Sequence, residues 1–133
     1  MPLRLEKLLD SGAGACYLGR PDIATLVAEA LGKFIDGRYR IFAWCVMPNH
    51  VHAVVQPCGE WTLSRILHSW KSFTATQANR LLRRTGEFWQ REYYDHLIRN
   101  GGDFTQTTRY VLENPSHAGL RNWPRVGTKP WTP

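Results

Sequence analysis

Two histidines separated by one residue are the first side chains in this sequence that could carry out chemistry. In a strand, His50 and His52 project from the same face, close enough to bind one metal ion. The residues between and after them, Val51, Ala53 and Val55, project from the other face, which must meet helices. We therefore expect the imidazoles on the face left open. A bare pair of this kind is more often solvated or hydrogen-bonded than metal-bound, so it needs support from elsewhere in the chain.

A tyrosine and an asparagine in the C-terminal third supply that support. Tyr110 and Asn114 are four residues apart in a segment that predicts a helix, which places them on one face, about 6 Å apart along the axis. A tyrosine hydroxyl can attack phosphorus, and an amide oxygen can be a third, hard metal ligand. Alone, this spacing is typical of packing and a helix stop. The combination with the two histidines is what indicates a site.

The composition describes one small, basic, globular domain. The chain has 133 residues, 43% of them apolar and 21% charged, with a net charge of +6 and a pI near 9.6. A basic excess in so small a domain indicates a polyanionic partner. No apolar run approaches the roughly 20 residues of a membrane span, and the first ten residues lack a signal-peptide core, so we expect a cytoplasmic protein that does not contact a membrane. Cys16, Cys45 and Cys58 show no paired spacing, which argues against disulfides and a thiolate zinc site.

Periodicity predicts helices and strands that would position these residues. Helices are expected over residues 21–36, 62–84 and 103–113, and strands over 38–47, 50–56 and 88–99, with Asn114-Pro115 ending the last helix. This order predicts an α+β, ferredoxin-like sandwich with strand order 4-1-3-2, in which both long helices cover one face of an antiparallel sheet and an additional C-terminal helix carries the tyrosine. Residues 121–133 are a short Pro- and Trp-containing tail.

The first strand of that fold is missing from the prediction. The first twenty residues offer only a short helix candidate over residues 3–9 and a Gly-rich stretch. A sheet without this member would expose unpaired backbone groups, and such edges recruit partners. The sequence therefore predicts a homodimer with strands crossing between chains, or a sheet in which residues 13–18 fill the gap. Either arrangement would move Tyr110 relative to the two histidines.

Three segments together resemble a known family. WCVMPNHVHAVVQP, FWQREYYDHLIRN and RYVLENPSHAGL are similar to the His-hydrophobic-His (HUH) single-tyrosine transposases, and within them to those associated with repetitive extragenic palindromes. The resemblance implies that His50 and His52 bind a divalent cation, with Asn114 as third ligand. It also implies that Tyr110 forms a covalent 5′-phosphotyrosine on single-stranded or hairpin DNA. Residues 1–120 would then be one catalytic domain.

The donor set also bears on which metal is expected. Two imidazoles, an amide oxygen and substrate oxygens suit Mg²⁺ or Mn²⁺ better than a closed zinc site, and no small-molecule cofactor is expected. Asp95 and His96 lie in a family-like segment and are interpreted as structural. Two other functions remain open: a truncated, non-catalytic DNA-binding remnant, and a metal-dependent phosphodiesterase that uses water while Tyr110 only packs.

Basic and aromatic residues along the second long helix and the following strand are candidates for DNA contacts. The cations could follow phosphates, while aromatic and basic side chains interleave around Tyr93 and Tyr94 as stacking surfaces do. A solvated helix face and ordinary core aromatics explain the same pattern. The candidates are Arg65, Lys71, Arg80, Arg83, Arg84, Trp89 and Arg91.

Overall fold

The protein is described here by a computed structural model that covers the backbone of residues 3–10 and 17–129, and side chains of residues 17–89 and 97–129. Strands and helices follow in the order β1 (Leu3–Asp10), α1 (Pro21–Lys33), β2 (Tyr39–Val46), β3 (His50–Pro57), α2 (Leu63–Leu82), β4 (Trp89–Ile98), α3 (Gly101–His117) and β5 (Val126–Gly127). The sheet has the order β4-β1-β3-β2-β5, and all neighbouring strands are antiparallel. The predicted ferredoxin-like α+β sandwich is confirmed.

The prediction of a missing first strand is wrong. β1 lies in the interior of the sheet, paired with β3 from Arg4 to Leu9 and with β4 from Leu3 to Asp10. Leu, Arg, Glu and Lys favour helices locally, which is why residues 3–9 suggested a short helix. Hydrogen bonding of β1 to both β3 and β4 outweighs that helix propensity. Because β1 fills the gap between β3 and β4, the reason given for a homodimer no longer applies.

One face of the sheet packs against α1 and α2. Pro21 begins α1 at a position where its missing N–H costs nothing, and the Thr62 hydroxyl caps α2 by accepting from Arg65 N at 3.2 Å. The two helices pack on each other and on the sheet. Their shared core consists mainly of Ile23, Val27, Leu31, Trp44, Val51, Val55, Ile66 and Trp70.

The opposite face of the sheet is covered by α3, so the expectation that it would be left open is wrong. A bulge in β2 at Phe42 shifts the strand by one residue, which places Phe42 and Ala43 together on this face. The Phe42 ring meets Phe104 of α3 edge to face, with 5.6 Å between centroids. Val111 of α3 is fully buried against this second core. The pairing of Phe42 with Phe104 therefore anchors α3 on the face that carries the histidines.

The predicted end of the last helix is also corrected. α3 continues through Pro115 to His117, and Ala118 N still donates to Asn114 O at 3.1 Å. Proline removes only its own N–H bond, and the helix ends beyond it at His117, followed by Gly119 in the left-handed conformation with φ of 79°.

The C-terminal segment adds β5 to the outer edge of β2. Trp123 Nε1 donates to Val46 O at 2.8 Å, and Val46 N donates to Arg125 O at 2.9 Å. These bonds hold the segment against the domain. Within the described residues, none of the helices combines the length and apolar character needed to cross a membrane.

Candidate active site

β3 brings the two histidines together at its N-terminal end. The ring centroids of His50 and His52 lie 4.7 Å apart, with an interplanar angle of 85°. His52 is only 1% exposed, since it lies inside the sheet opposite Cys45 of β2, whereas His50 is half-buried at the strand end. The predicted placement of both rings on one face is what the strand produces.

Asn49 orients the more exposed ring. His50 Nδ1 and Asn49 Oδ1 are 2.6 Å apart, so the carboxamide oxygen holds this nitrogen as a hydrogen-bond donor. Asn49 is not among the site residues predicted from the sequence. The available signal was an asparagine directly preceding the first histidine.

α3 places Tyr110 against the buried histidine. The Tyr110 and His52 ring centroids are 5.4 Å apart and nearly perpendicular, at 81°. Tyr110 is nevertheless 46% exposed, whereas the neighbouring Val111 is fully buried. The Tyr110 ring therefore contacts His52 and still faces solvent. Here the helix is anchored by other residues, and the tyrosine stands at the protein surface beside the two imidazoles.

The residues present fit a divalent ion held by mixed nitrogen and oxygen donors. Asn114 is half-buried, one helical turn after Tyr110. Among the described residues, no group of three or more His, Cys, Asp or Glu side chains is arranged to hold a metal. A metal ion held by the two imidazoles would need further donors, such as the amide oxygen of Asn114, water or substrate. Such a set suits Mg²⁺ or Mn²⁺.

Cys45 lies across from His52 and is a buried free thiol. It is fully buried, and that burial raises the pKa of its thiol to about 12. The protein's own environment therefore keeps Cys45 protonated.

The predicted DNA contacts separate into exposed and structural residues. Arg65, Arg80 and Arg83 are exposed on α2, and Lys71 is half-buried. Arg84 is half-buried and donates to Asn79 Oδ1 at 2.7 Å and to Glu87 O at 3.0 Å, so it holds the turn after α2.

Trp89 is not the stacking surface predicted for it. It is 6% exposed, packs against Phe88, and donates from Nε1 to Thr74 Oγ1 at 2.8 Å. The side chain of Arg91 lies outside the described residues, as do those of Tyr93, Tyr94, Asp95 and His96.

Comparison with known proteins gives a consistent result. The family model described as "Transposase IS200 like" matches residues 22–114. A provisionally named REP-associated tyrosine transposase of Haemophilus influenzae is 28% identical over 100 residues, 65% of this chain and 57% of the relative. The REP-associated tyrosine transposase of Escherichia coli is 29% identical over 101 residues, 67% of this chain and 54% of the relative. The chain thus matches a little more than half the length of these relatives.

The fold is shared with a solved structure as well. A REP-associated tyrosine transposase bound to a REP hairpin superimposes with a TM-score of 0.76 at 21% identity, over 99% of this chain and 86% of the other. At that identity the likeness concerns the fold.

Proposed function

Because the chain belongs to the family of IS200-like transposases, we propose that it cleaves and rejoins single-stranded DNA through a covalent 5′-phosphotyrosine at Tyr110. One observation carries the proposal: a half-exposed tyrosine lies against one of two adjacent imidazoles. The three residues come from β3 and α3, two elements that share no local sequence.

In the proposed reaction, the Tyr110 hydroxyl oxygen attacks the phosphorus of a DNA phosphodiester. The new bond joins tyrosine to the 5′ phosphate, the bond to the 3′ oxygen breaks, and the phenolic proton ends on the released 3′ hydroxyl. A later 3′ hydroxyl attacks the same phosphorus and releases the tyrosine. The phosphotyrosine conserves the phosphodiester bond, so strand transfer needs no ATP.

We propose His50, His52 and Asn114 as the residues that hold a divalent ion, Mg²⁺ or Mn²⁺. When bound, the ion would supply charge stabilisation for the scissile phosphate and the leaving oxygen. Burial of His52 fixes one imidazole, and the Asn49 contact orients the other. The chain's own contribution is therefore a rigid pair of nitrogen donors beside a surface-exposed nucleophile.

The substrate proposed here is single-stranded or hairpin DNA. Two features support it: a solved relative of the same fold is described as bound to a REP hairpin, and this chain carries a net charge of +6. A cationic domain gains affinity for nucleic acid by releasing counterions from phosphates.

Removal of the tyrosine hydroxyl tests the proposal directly. We expect Tyr110→Phe to abolish covalent protein–DNA adducts on denaturing gels, with hairpin DNA and Mn²⁺, while DNA affinity changes less than about threefold because only the nucleophilic oxygen is lost. Tyr17→Phe, at a tyrosine stacked on Phe88 away from the site, is the matched control and should retain adducts.

Each other outcome identifies a different function. Adducts that persist in Tyr110→Phe would mean another nucleophile, with Tyr93 or Tyr94 the first to examine. Cleavage by wild type without any adduct would indicate a phosphodiesterase that uses water. Binding with neither cleavage nor adduct would indicate a non-catalytic DNA-binding protein.

A further inference from the structure

A row of alternating cations and aromatic rings lies on the side of the sheet that α1 and α2 cover, away from the histidines. We call it the cation–aromatic patch; its members, in spatial order, are Arg65, Trp61, Arg38, Phe34, Lys33 and Phe73. The Cζ atoms of Arg65 and Arg38 lie 4.2 and 4.4 Å from the Trp61 ring. The row continues with Arg38 at 5.2 Å from Phe34, and with Lys33 Nζ at 5.7 Å from Phe34 and 4.2 Å from Phe73.

The charges of the patch are not neutralised by the described part of the protein. No carboxylate among the described side chains forms an ion pair with Lys33, Arg38 or Arg65. Gathering three like charges costs free energy, and contacts with aromatic rings return only about 0.5–1 kcal/mol each at exposed positions. The patch is therefore complementary to an anionic partner.

The rings of the patch are partly exposed to solvent. Trp61, Phe34 and Phe73 are each only half-buried. Phe34 and Phe73 meet edge to face at 5.4 Å and form part of an open groove. The rest of the groove is polar, lined by His68, Ser69, Ser72, Thr76 and Gln77. Aromatic faces beside hydroxyl and cationic groups provide contacts for bases and phosphates together.

The patch lies at the far end of the sheet from the candidate active site. Arg38 immediately precedes β2 and Trp61 follows β3, whereas His50 begins β3. Seven residue steps from His50 to Pro57, at roughly 3.3 Å each, separate these two ends by about 23 Å. A strand that reaches both must extend several nucleotides beyond the cleaved phosphate.

We propose that the cation–aromatic patch binds a single-stranded segment of the DNA substrate, remote from the phosphate that Tyr110 attacks. This inference rests on the proposed function in taking DNA as the substrate. An unpaired base packs against the exposed part of the Trp61 ring, while Arg38, Arg65 and Lys33 contact the flanking phosphates. Duplex DNA cannot use the same contacts fully because its bases are already stacked on one another.

Fluorescence anisotropy with a labelled 20-nucleotide single strand tests the proposal. We expect Arg38→Gln/Arg65→Gln to weaken binding about tenfold or more, and to reduce the slope of log affinity against log salt by about 1.4, at roughly 0.7 per phosphate contact. Trp61→Ala should weaken binding at least fivefold, since loss of one stacked base costs about 1–3 kcal/mol, and Trp61→Phe should recover part of the loss.

A matched double variant controls for net charge. Arg99→Gln/Arg121→Gln removes two exposed cations outside the patch and should leave the salt slope unchanged. Circular dichroism and the thermal midpoint identify any variant that fails to fold. If Trp61→Ala fails to fold, Trp61→Phe still tests the role of the ring. Equal affinity of the two double variants would overturn the proposal. If the patch variants lost as much affinity for a duplex of the same sequence as for the single strand, the assignment of the patch to single-stranded DNA would be overturned.

Adduct formation by wild type, scored separately, distinguishes this inference from the proposed function. Single-strand binding that depends on the patch, without any adduct, would refute the proposed chemistry and leave the patch in place. Adducts together with patch-independent binding would refute the patch alone. A wild-type protein with no measurable affinity for single strands would refute both.

Discussion

At the scale of single residues, the candidate site combines one buried imidazole, His52, with one half-buried imidazole at the strand end, His50. His52 is enclosed by the sheet and by the Tyr110 ring, whereas His50 stands at the strand end and is oriented by Asn49. Burial restricts the rotamers of His52, so the position of the metal would be set mainly by this residue. His50 would complete the pair from the accessible side.

We expect His50→Ala and His52→Ala each to abolish Mn²⁺-dependent cleavage and to reduce Mn²⁺ affinity by at least tenfold in calorimetric titration. Asn114→Ala should reduce it less, because water can replace one neutral oxygen ligand. His68→Ala, at an exposed histidine on α2, is the control and should bind Mn²⁺ as wild type does. If His50→Ala and His52→Ala both bound Mn²⁺ with wild-type affinity, the metal site would lie elsewhere.

A second residue-scale prediction concerns Tyr39, which is buried in the α1–α2 core. Its hydroxyl donates to Leu31 O and accepts from Trp70 Nε1 at 2.9 Å, so Tyr39→Phe leaves two buried groups unpaired. We expect the free energy of unfolding to fall by about 1–3 kcal/mol at neutral pH.

The same residue predicts a pH dependence. Burial raises the pKa of Tyr39 from 10.0 to about 12, which means that folding favours its neutral form. The stabilisation is complete below pH 10 and is lost as the pH rises through 12. In denaturant unfolding at pH 8, 10 and 11, the difference between wild type and Tyr39→Phe should therefore shrink above pH 10. A constant difference would contradict this assignment.

At the scale of elements, the position of the nucleophile depends on how α3 begins and docks. The helix starts with two glycines, which favour helix formation poorly, so its cap and its contacts must compensate. The Asn100 side chain accepts from Asp103 N at 2.8 Å, and the Asp103 carboxylate accepts from Arg99 N at 3.1 Å. These two hydrogen bonds hold the first turn of the helix that carries Tyr110.

We expect Asn100→Ala to lower the free energy of unfolding by about 1 kcal/mol, the usual cost of losing an N-cap, and Asn100→Asp to restore it because aspartate caps equally well. Chemical denaturation measures both variants. Hydrogen exchange should show the loss first in amides of the early turns of α3, with α2 unaffected. Uniformly faster exchange across both helices would mean that the cap has no local role.

At the scale of the whole molecule, the candidate site is assembled within one chain. β1 lies in the interior of the sheet, and α3 folds back over the face of β3 that carries the histidines. His52 and Tyr110 are consequently in contact without a second copy of the chain.

A mixing experiment follows from this arrangement. Tyr110→Phe and His50→Ala proteins, each inactive alone, should remain inactive when combined, because neither chain offers both a nucleophile and an intact histidine pair. The measurement is covalent adduct formation across a range of mixing ratios. Adducts in the mixture would show that the tyrosine and the histidines are shared between chains, and would restore the homodimer as the active form.

Local pattern in the sequence determined much of this protein. Alternation along residues 50–56 placed His50 and His52 on one face, and apolar periodicity located α1 and α2 within about three residues of their observed ends, because both patterns depend on near neighbours. The pairing of Tyr110 with the histidines came from the family resemblance and from residue chemistry. The ferredoxin-like order followed from the succession of elements.

Only the tertiary structure decided the rest. Residues 3–10 form a strand because they pair with both β3 and β4, and their own composition does not indicate this pairing. The histidine face is covered because the Phe42 bulge meets Phe104, and Trp89 is buried because Thr74 offers its indole a hydrogen-bond acceptor. The cation–aromatic patch joins α1, α2 and the segments around β2 and β3, which are separated in sequence. Each of these features depends on contacts between distant parts of the chain, and periodicity reports only on near ones.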